Sequence, residues 1–148
     1  MGKRLCVCAL SIAAAAAVAM AVDHPDLTGT WQSKSEAPNF QQMEIQQKDG
    51  SIQITDATDP SGKEKKFDIR CNTVGKECKL KDEQVSMWFN GPMLVLMETR
   101  RGNEVVIKKR LSLSEDGKTL TMEVQHIAPP GDKESFTFTR QDSMKANR

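Results

Sequence analysis

Apolar and polar residues alternate with a period of two along most of the chain from Thr28 onward, and helical periodicity is absent over any useful window. Residues of one parity in such a run lie on one face of a β-strand. Turn signals such as Asp49-Gly50, Asn90-Gly91 and Asp116-Gly117 separate the runs. The pattern therefore predicts an all-β domain of about eight to ten short strands.

Short strands that follow one another through tight turns are typical of a single antiparallel up-and-down meander. A meander has two edge strands with unpaired backbone groups, and closure into a barrel pairs those groups. We therefore expect a small closed barrel. The inward parity belongs to Met43, Ile45, Ile52, Ile54, Phe67, Val85, Met87, Phe89, Leu120, Met122, Val124, Phe136 and Phe138.

The interior of this barrel has two interpretations. Methionine is flexible, so a Met-rich interior can adapt to varied apolar ligands. On that interpretation the candidate ligand-binding residues are Met43, Phe67, Met87, Phe89, Met122 and His126. On the other interpretation the side chains simply fill a narrow barrel, as in many eight-stranded barrels.

The first 21 residues have the three parts of a secretory signal peptide. Lys3 and Arg4 precede a short apolar run, and the triplet Ala19-Met20-Ala21 resembles a cleavage site. The apolar run is shorter than the roughly 20 residues that a membrane-spanning helix needs. We therefore expect cleavage after residue 21 and a secreted or periplasmic protein without a permanent membrane anchor.

Cleavage at this site leaves 127 of the 148 residues, enough for one barrel domain over 22–142 and a loose tail over 143–148. Loss of Lys3 and Arg4 lowers the number of basic residues from 21 to 19, against 20 acidic residues, so the net charge changes from +1 to −1. This balance argues against a nucleic-acid partner. The basic runs 63–66 and 108–110 are interpreted as solvated strand ends and loops.

Cys71 and Cys78 are the cysteines that remain after cleavage. An oxidising compartment and an even number of cysteines favour a disulfide bond between them. The residues between them, 72–77, have the composition of a hairpin turn, and closing this loop should stabilise the fold by about 2–3 kcal/mol. A metal site would need further Cys or His ligands, which the neighbouring sequence lacks.

The first strand contains Gly29-Thr30-Trp31, and the last one ends in Phe138-Thr139-Arg140. This pairing resembles the lipocalin and wider calycin barrels, in which the Trp closes one end and a basic residue lies over its indole. The resemblance implies that Trp31 and Arg140 form the structural barrel closure, through a cation–π contact of about 0.5–2 kcal/mol. The chain as a whole is most similar to uncharacterised secreted bacterial lipocalin-like domains.

Two other families open in a similar way, and the sequence departs from both. Avidins share the Leu27–Trp31 string, but their biotin sites use Tyr and several Trp, whereas this chain has no Tyr and two Trp. Periplasmic metalloprotease-inhibitor barrels are of similar size and contain one disulfide. Their first cysteine follows the Trp closely, unlike Cys71. The resemblance therefore implies a fold and a compartment and leaves the ligand open.

The sequence contains no recognisable catalytic set. His126 shares the inward parity of Val124 at a strand end, without a carboxylate pair or a Ser/His/Asp arrangement at a familiar spacing. His24 lies before the first strand. We therefore expect no enzymatic activity, no cofactor and no metal within the barrel.

Cleavage after residue 21 would create a free amine at Val22, followed by Asp23 and His24. An amine, two deprotonated backbone amides and a third-position imidazole can bind Cu(II) or Ni(II) in a square plane. A histidine can also occur at this position by chance. The motif depends on the cleavage site and is otherwise independent of the fold.

Trp88 has the parity opposite to Met87 and Phe89 and is expected to face outward near the turn at Asn90-Gly91. An exposed Trp at a turn is a common protein-binding anchor, but this one could equally lie under a loop or at a barrel corner. The leading expectation is a non-enzymatic binding module for a small apolar ligand. The alternative is a protein-interaction or protease-inhibitor-like barrel acting through its N-terminal arm and Trp88.

Overall fold

Ten β-strands make up most of the chain that the structure describes. The structure is a computed structural model and describes residues 24–34, 41–57, 65–80, 83–100 and 104–141, with the backbone alone for 57 and 65–67. The predicted signal peptide and C-terminal tail lie outside these ranges. The strands are β1 Gly29–Ser33, β2 Gln42–Lys48, β3 Ser51–Ala57, β4 Lys65–Asn72, β5 Val74–Leu80, β6 Glu83–Asn90, β7 Met93–Arg100, β8 Val105–Leu113, β9 Thr119–Ala128 and β10 Lys133–Gln141.

The strands form one antiparallel sheet in the order β4-β3-β2-β1-β10-β9-β8-β7-β6-β5. Pairing between β1 and β10 joins the first and last strands, with Trp31 opposite Arg140. Because the sheet begins at β4 and ends at β5, these neighbours in sequence lie side by side without a ladder of backbone hydrogen bonds. The result is a nearly closed up-and-down barrel, which confirms the predicted fold class and number of strands.

The disulfide bond joins the two edge strands. Cys71 of β4 and Cys78 of β5 are bonded, with their Cα atoms 5.7 Å apart. The prediction of a turn over 72–77 was wrong in its details, because Val74 already starts β5. That strand diverges from β4 and pairs with β6 alone, with a register shift between Val74 and Glu77. We call the place where β4 and β5 lie side by side without a hydrogen-bond ladder the seam of the barrel. The disulfide bond crosses this seam.

The β2–β3 and β6–β7 hairpins have turns at the positions that the sequence predicts, and their backbone angles explain the residues found there. Asp49 and Gly50 both adopt positive φ angles, 52° and 72°, between β2 and β3. Positive φ at both central positions is the type I′ geometry, whose twist matches that of the strands. Gly91 has a φ of 60° at the first central position between β6 and β7, as a type II′ turn requires.

The inward side chains form one continuous apolar core. Most residues of the predicted inward parity are buried, whereas Phe89 and Phe136 are partly buried at its margins. Leu94, Val95 and Leu96 of β7 are buried in succession. This strand is therefore covered on both faces, which fits its nearly continuous apolar sequence.

Candidate functional site

Trp31 and Arg140 lie together at one end of the barrel. Trp31 is fully buried, and the guanidinium carbon of Arg140 lies 4.6 Å from the centroid of its ring. The indole Nε1 donates a hydrogen bond to the carbonyl oxygen of Leu27 at 3.0 Å. Arg140 Nη1 donates to the carbonyl oxygen of Thr28 at 3.0 Å, and Nη2 to that of Asp26 at 3.3 Å. One arginine therefore covers the indole and fixes the preceding segment.

That segment, residues 24–28, crosses the end of the barrel as an N-terminal arm. Leu27 is completely buried, and its backbone N–H donates to Gln47 Oε1 at 3.1 Å. The imidazole of His24 stacks on the ring of Phe89, with centroids 4.1 Å apart and planes 7° from parallel. The described part of the arm is therefore fixed to the barrel, and we call this end the closed end.

Asp26 contributes to the position of the arm. A hydrogen bond from the Thr28 side chain, a second one from the Thr28 backbone N–H and the charge of Arg140 lower the pKa of Asp26 below its ordinary 3.8, although partial burial opposes the shift. The ionised carboxylate is thus the form that the folded arm favours.

A cavity of about 10 Å³ lies within the barrel. This is room for about one water molecule. Its apolar wall comes from strands on several sides of the barrel: Met43, Ile54, Leu96, Leu111 and Met122. Two ionisable side chains, Asp56 and Lys109, complete the lining. The cavity is therefore mainly apolar, with two ionisable residues in its lining.

Three charged residues are buried in the part of the chain that the structure describes: Asp56 on β3, Glu98 on β7 and Lys109 on β8. Their exposed fractions are 2%, 1% and 6%. Lys109 Nζ lies 2.6 Å from Glu98 Oε1, so these two side chains form a buried ion pair. We call Asp56, Glu98 and Lys109 the buried charged trio.

The structure brings together some of the predicted ligand-binding residues. Met43 and Met122 line the cavity on its apolar side. Met87 is fully buried in the core but is not part of the cavity lining, and Phe89 lies against His24 at the closed end. His126 is partly buried near the far end of β9. The side chain of Phe67 lies outside the described residues.

Sequence reasoning missed the charged side of the cavity. Asp56 follows Ile54 with the same inward parity, Glu98 follows Leu96 in the same way, and Lys109 lies between Ile107 and Leu111. The signal was a charged residue at an inward position of an alternating strand. The interpretation of 108–110 as a solvated basic run was wrong for Lys109, because strand alternation turns this middle residue into the barrel.

Outside the barrel, Trp88 is partly buried between two valines of neighbouring strands. It faces Val74 in register on one side and Val95 on the other. Val74 is 72% exposed, whereas Val95 is 2% exposed although its parity is outward. Trp88 therefore belongs to an apolar patch on the outer face of the barrel.

Ion pairs on the outer wall of the barrel are exposed to water. Glu123 accepts from Lys133 at 2.9 Å and lies 3.7 Å from Arg110 Nη1. The hydrogen bond from Lys133 lowers the pKa of Glu123, and both cations add to this effect. At such exposed positions ion pairs contribute little to stability.

Among the described residues, no group of three or more His, Cys, Asp or Glu side chains is arranged to hold a metal ion. The same ranges contain no helix with the length and apolar character to cross a membrane.

The sequence matches no family profile, and no curated protein resembles it significantly. Solved structures do share the fold. A secretary abundant heat soluble (SAHS) protein from Ramazzottius varieornatus superposes with a TM-score of 0.60 at 13% identity, over 77% of this chain and 94% of that chain. The wild-type fluorescent protein UnaG gives 0.58 at 15% identity, over 77% and 96%.

The fold that these structures share with this chain is a small antiparallel β-barrel. A point mutant of UnaG gives the same TM-score and identity as the wild type. Identities of 13–15% establish the architecture alone.

Proposed function

We propose that this protein is an exported, non-enzymatic binding barrel that takes a small, largely apolar molecule into its interior. The observation that carries the proposal is the mainly apolar cavity in the barrel, lined by five apolar side chains and two charged ones. Ligand sites in proteins combine a mainly apolar lining with a few polar groups that orient the ligand. The solved structures that share this architecture support a barrel of the same general type.

A guest has to displace side chains, because the cavity at rest holds about one water molecule. Met43 and Met122 line it, and methionine changes rotamer at lower cost than a β-branched or aromatic residue. The seam between β4 and β5 offers a route inward, since widening it breaks no backbone ladder. The disulfide between Cys71 and Cys78 limits how far the two strands separate.

Titration with the neutral apolar fluorophore N-phenyl-1-naphthylamine tests the proposal. We expect enhanced, saturable fluorescence with the folded protein, and a larger enhancement with Met122→Ala, which enlarges the cavity. The matched control is Thr121→Ala, because Thr121 directly precedes Met122 on β9 and has the opposite parity. If neither the wild type nor Met122→Ala takes up the fluorophore, the barrel is filled and the proposal fails.

Export rests on the signal-like pattern of residues 1–21 and on a disulfide bond, which persists in oxidising compartments. The absence of catalysis remains a proposal drawn from the lack of a catalytic set in the sequence.

A second candidate function is protein interaction at the outer patch around Trp88. The observation that favours it is Val74, a large apolar side chain that is 72% exposed opposite Trp88. Val74→Asp should weaken the binding of a protein partner and leave fluorophore uptake unchanged. A partner whose binding does not change with Val74→Asp would contradict this candidate.

A further inference from the structure

The seam is the place where the barrel opens without loss of a backbone ladder. Every other pair of neighbouring strands in the sheet shares such a ladder of hydrogen bonds. Separating one of those pairs leaves a row of N–H and C=O groups without their partners. Between β4 and β5 the disulfide bond from Cys71 to Cys78 takes the place of a ladder. Breaking this one covalent bond therefore lets the two edges separate while every ladder stays intact.

The inner side of the seam is apolar and adjoins the cavity. Ile69 of β4 is buried and lies opposite Ile54 of β3, which lines the cavity. On the other edge, Cys78 and Leu80 of β5 are partly buried and pack against the core. A molecule that enters between the two strands therefore meets apolar side chains and reaches the cavity wall one strand away.

Both edge strands are also held from their other sides. Cys71 lies opposite Ile52 in the ladder of β3 and β4, and Cys78 lies opposite Val85 in the ladder of β5 and β6. The sulfur of Cys71 lies 3.5 Å from the carbonyl oxygen of Val85. A thiol at Cys71 therefore has a hydrogen-bond acceptor within reach in the core, although a thiol is a weak donor. The fold thus accommodates the reduced cysteines as well as the disulfide.

We propose that the Cys71–Cys78 disulfide controls the rate at which ligands exchange with the barrel interior. This inference rests on the proposed binding function and adds its regulation. With the bond intact, the Cα atoms of the two cysteines are 5.7 Å apart, and the bond holds the edges of the seam together. A dithiol reductant breaks the bond, the two edges separate, and the ligand enters and leaves faster.

Reduction proceeds by thiol–disulfide exchange at the more accessible cysteine. Cys71 is 2% exposed, whereas Cys78 is only partly buried. A thiolate of the reductant therefore attacks Sγ of Cys78, the S–S bond breaks, and its electron pair leaves with Cys71, which takes up a proton. The second thiol of the reductant then loses its proton and attacks the first reductant sulfur in the mixed disulfide, and Cys78 leaves and is protonated in turn. Two electrons thus pass to the two cysteines, and the reductant becomes a disulfide.

Stopped-flow mixing of the full protein with N-phenyl-1-naphthylamine measures the exchange rates, with and without the dithiol dithiothreitol. We expect reduction to raise the association and dissociation rates by at least about tenfold each. Kd should change by less than about threefold, because opening the seam adds no contact to the bound molecule. Circular dichroism should show that the sheet persists.

The wild-type comparison does not depend on any variant folding. Equal rates in the oxidised and reduced states overturn the inference but leave a binding barrel in place. Loss of the sheet on reduction also overturns it, because the disulfide is then required for the fold itself. Absence of fluorophore uptake in both states contradicts the proposed function as well.

A Cys71→Ala/Cys78→Ala double variant removes the bond without a reductant. Its exchange should be fast in both conditions, and dithiothreitol should have no effect on it. The matched control is Arg140→Met, which weakens the barrel at the closed end and retains the disulfide. Its exchange should stay slow until the reductant is added. Slow exchange in the double variant, or equally fast exchange in oxidised Arg140→Met, would contradict the control of exchange by the disulfide.

Discussion

Arg140 faces Trp31 in register across β10 and β1, and its guanidinium carbon lies 4.6 Å from the centre of the indole ring. The same side chain donates hydrogen bonds to the carbonyl oxygens of Thr28 and Asp26. One residue near the end of the barrel therefore connects the last strand, the first strand and the N-terminal arm.

Replacement of this arginine should destabilise the barrel. We expect Arg140→Met to lower the free energy of unfolding by about 2 kcal/mol, through the lost cation–π contact and the lost hydrogen bonds. Arg140→Lys should restore less than half of this, because an ammonium cannot both cover the indole and reach two carbonyls. Urea unfolding followed by tryptophan fluorescence measures both. Lys48→Met, an exposed position on β2, is the control.

Loss of the disulfide should also destabilise the protein. A Cys71→Ala/Cys78→Ala double variant opens an eight-residue loop, and chain entropy gives a loss of about 2.5 kcal/mol. Guanidinium unfolding with and without dithiothreitol measures the effect. The reductant should shift the wild-type midpoint and leave that of the double variant unchanged. Equal midpoints for reduced and oxidised wild-type protein would contradict this role.

The buried ion pair should respond to mutation far more than a surface pair. Lys109→Met leaves the buried carboxylate of Glu98 without its ammonium partner, so we expect a loss of about 3–5 kcal/mol in the free energy of unfolding. Lys133→Met removes an exposed partner of Glu123 and should cost less than about 1 kcal/mol. Losses of similar size in the two variants would mean that water reaches Lys109 and Glu98.

Acid should remove the contribution of Asp26. Its pKa is lowered in the folded state by hydrogen bonds from Thr28, so its stabilising contribution is complete above its ordinary pKa and is lost as the pH falls through the lowered value. The difference in unfolding free energy between wild type and Asp26→Asn should be constant well above the ordinary pKa of 3.8 and shrink progressively as the pH falls below it. Urea unfolding over this pH range measures it. A difference that grows on acidification would contradict the assignment.

The mature N-terminus is open to a direct measurement. Mass spectrometry of the exported protein should give a chain that starts at Val22. Copper titration should then produce a visible d–d band from a square-planar site that includes His24, and His24→Ala should remove the band. A chain that starts at Met20 would leave no histidine in third position, and no band should appear.

The alternation of residues was sufficient to predict the strands, because a barrel buries one parity of every strand and the turns need glycine at specific φ angles. The alternation placed Trp31 and Arg140 on the first and last strands, and the family resemblance implied that they are in contact. The register of β1 and β10 puts them opposite each other.

The alternation of apolar and polar residues could not predict that β4 and β5 lack a hydrogen-bond ladder. Cys71 and Cys78 are close in sequence, and a hairpin is the simplest way to join two such segments. The divergence of β5 from β4 depends on long-range pairing with β6, which local sequence does not encode. Asp56, Glu98 and Lys109 were readable as inward positions, but their proximity depends on how β3 faces β7 and β8 across the interior.

The pairing of β1 with β10 has a consequence for the order in which parts of the barrel can form. Arg140 lies 112 residues after Thr28, the residue whose carbonyl oxygen it binds. During synthesis Trp31 therefore emerges well before the strand and the guanidinium that cover it. Contacts so distant in sequence form late and slowly. Until β10 is available, β1 can pair with β2 alone, and the ring of strands stays open at the other edge of β1.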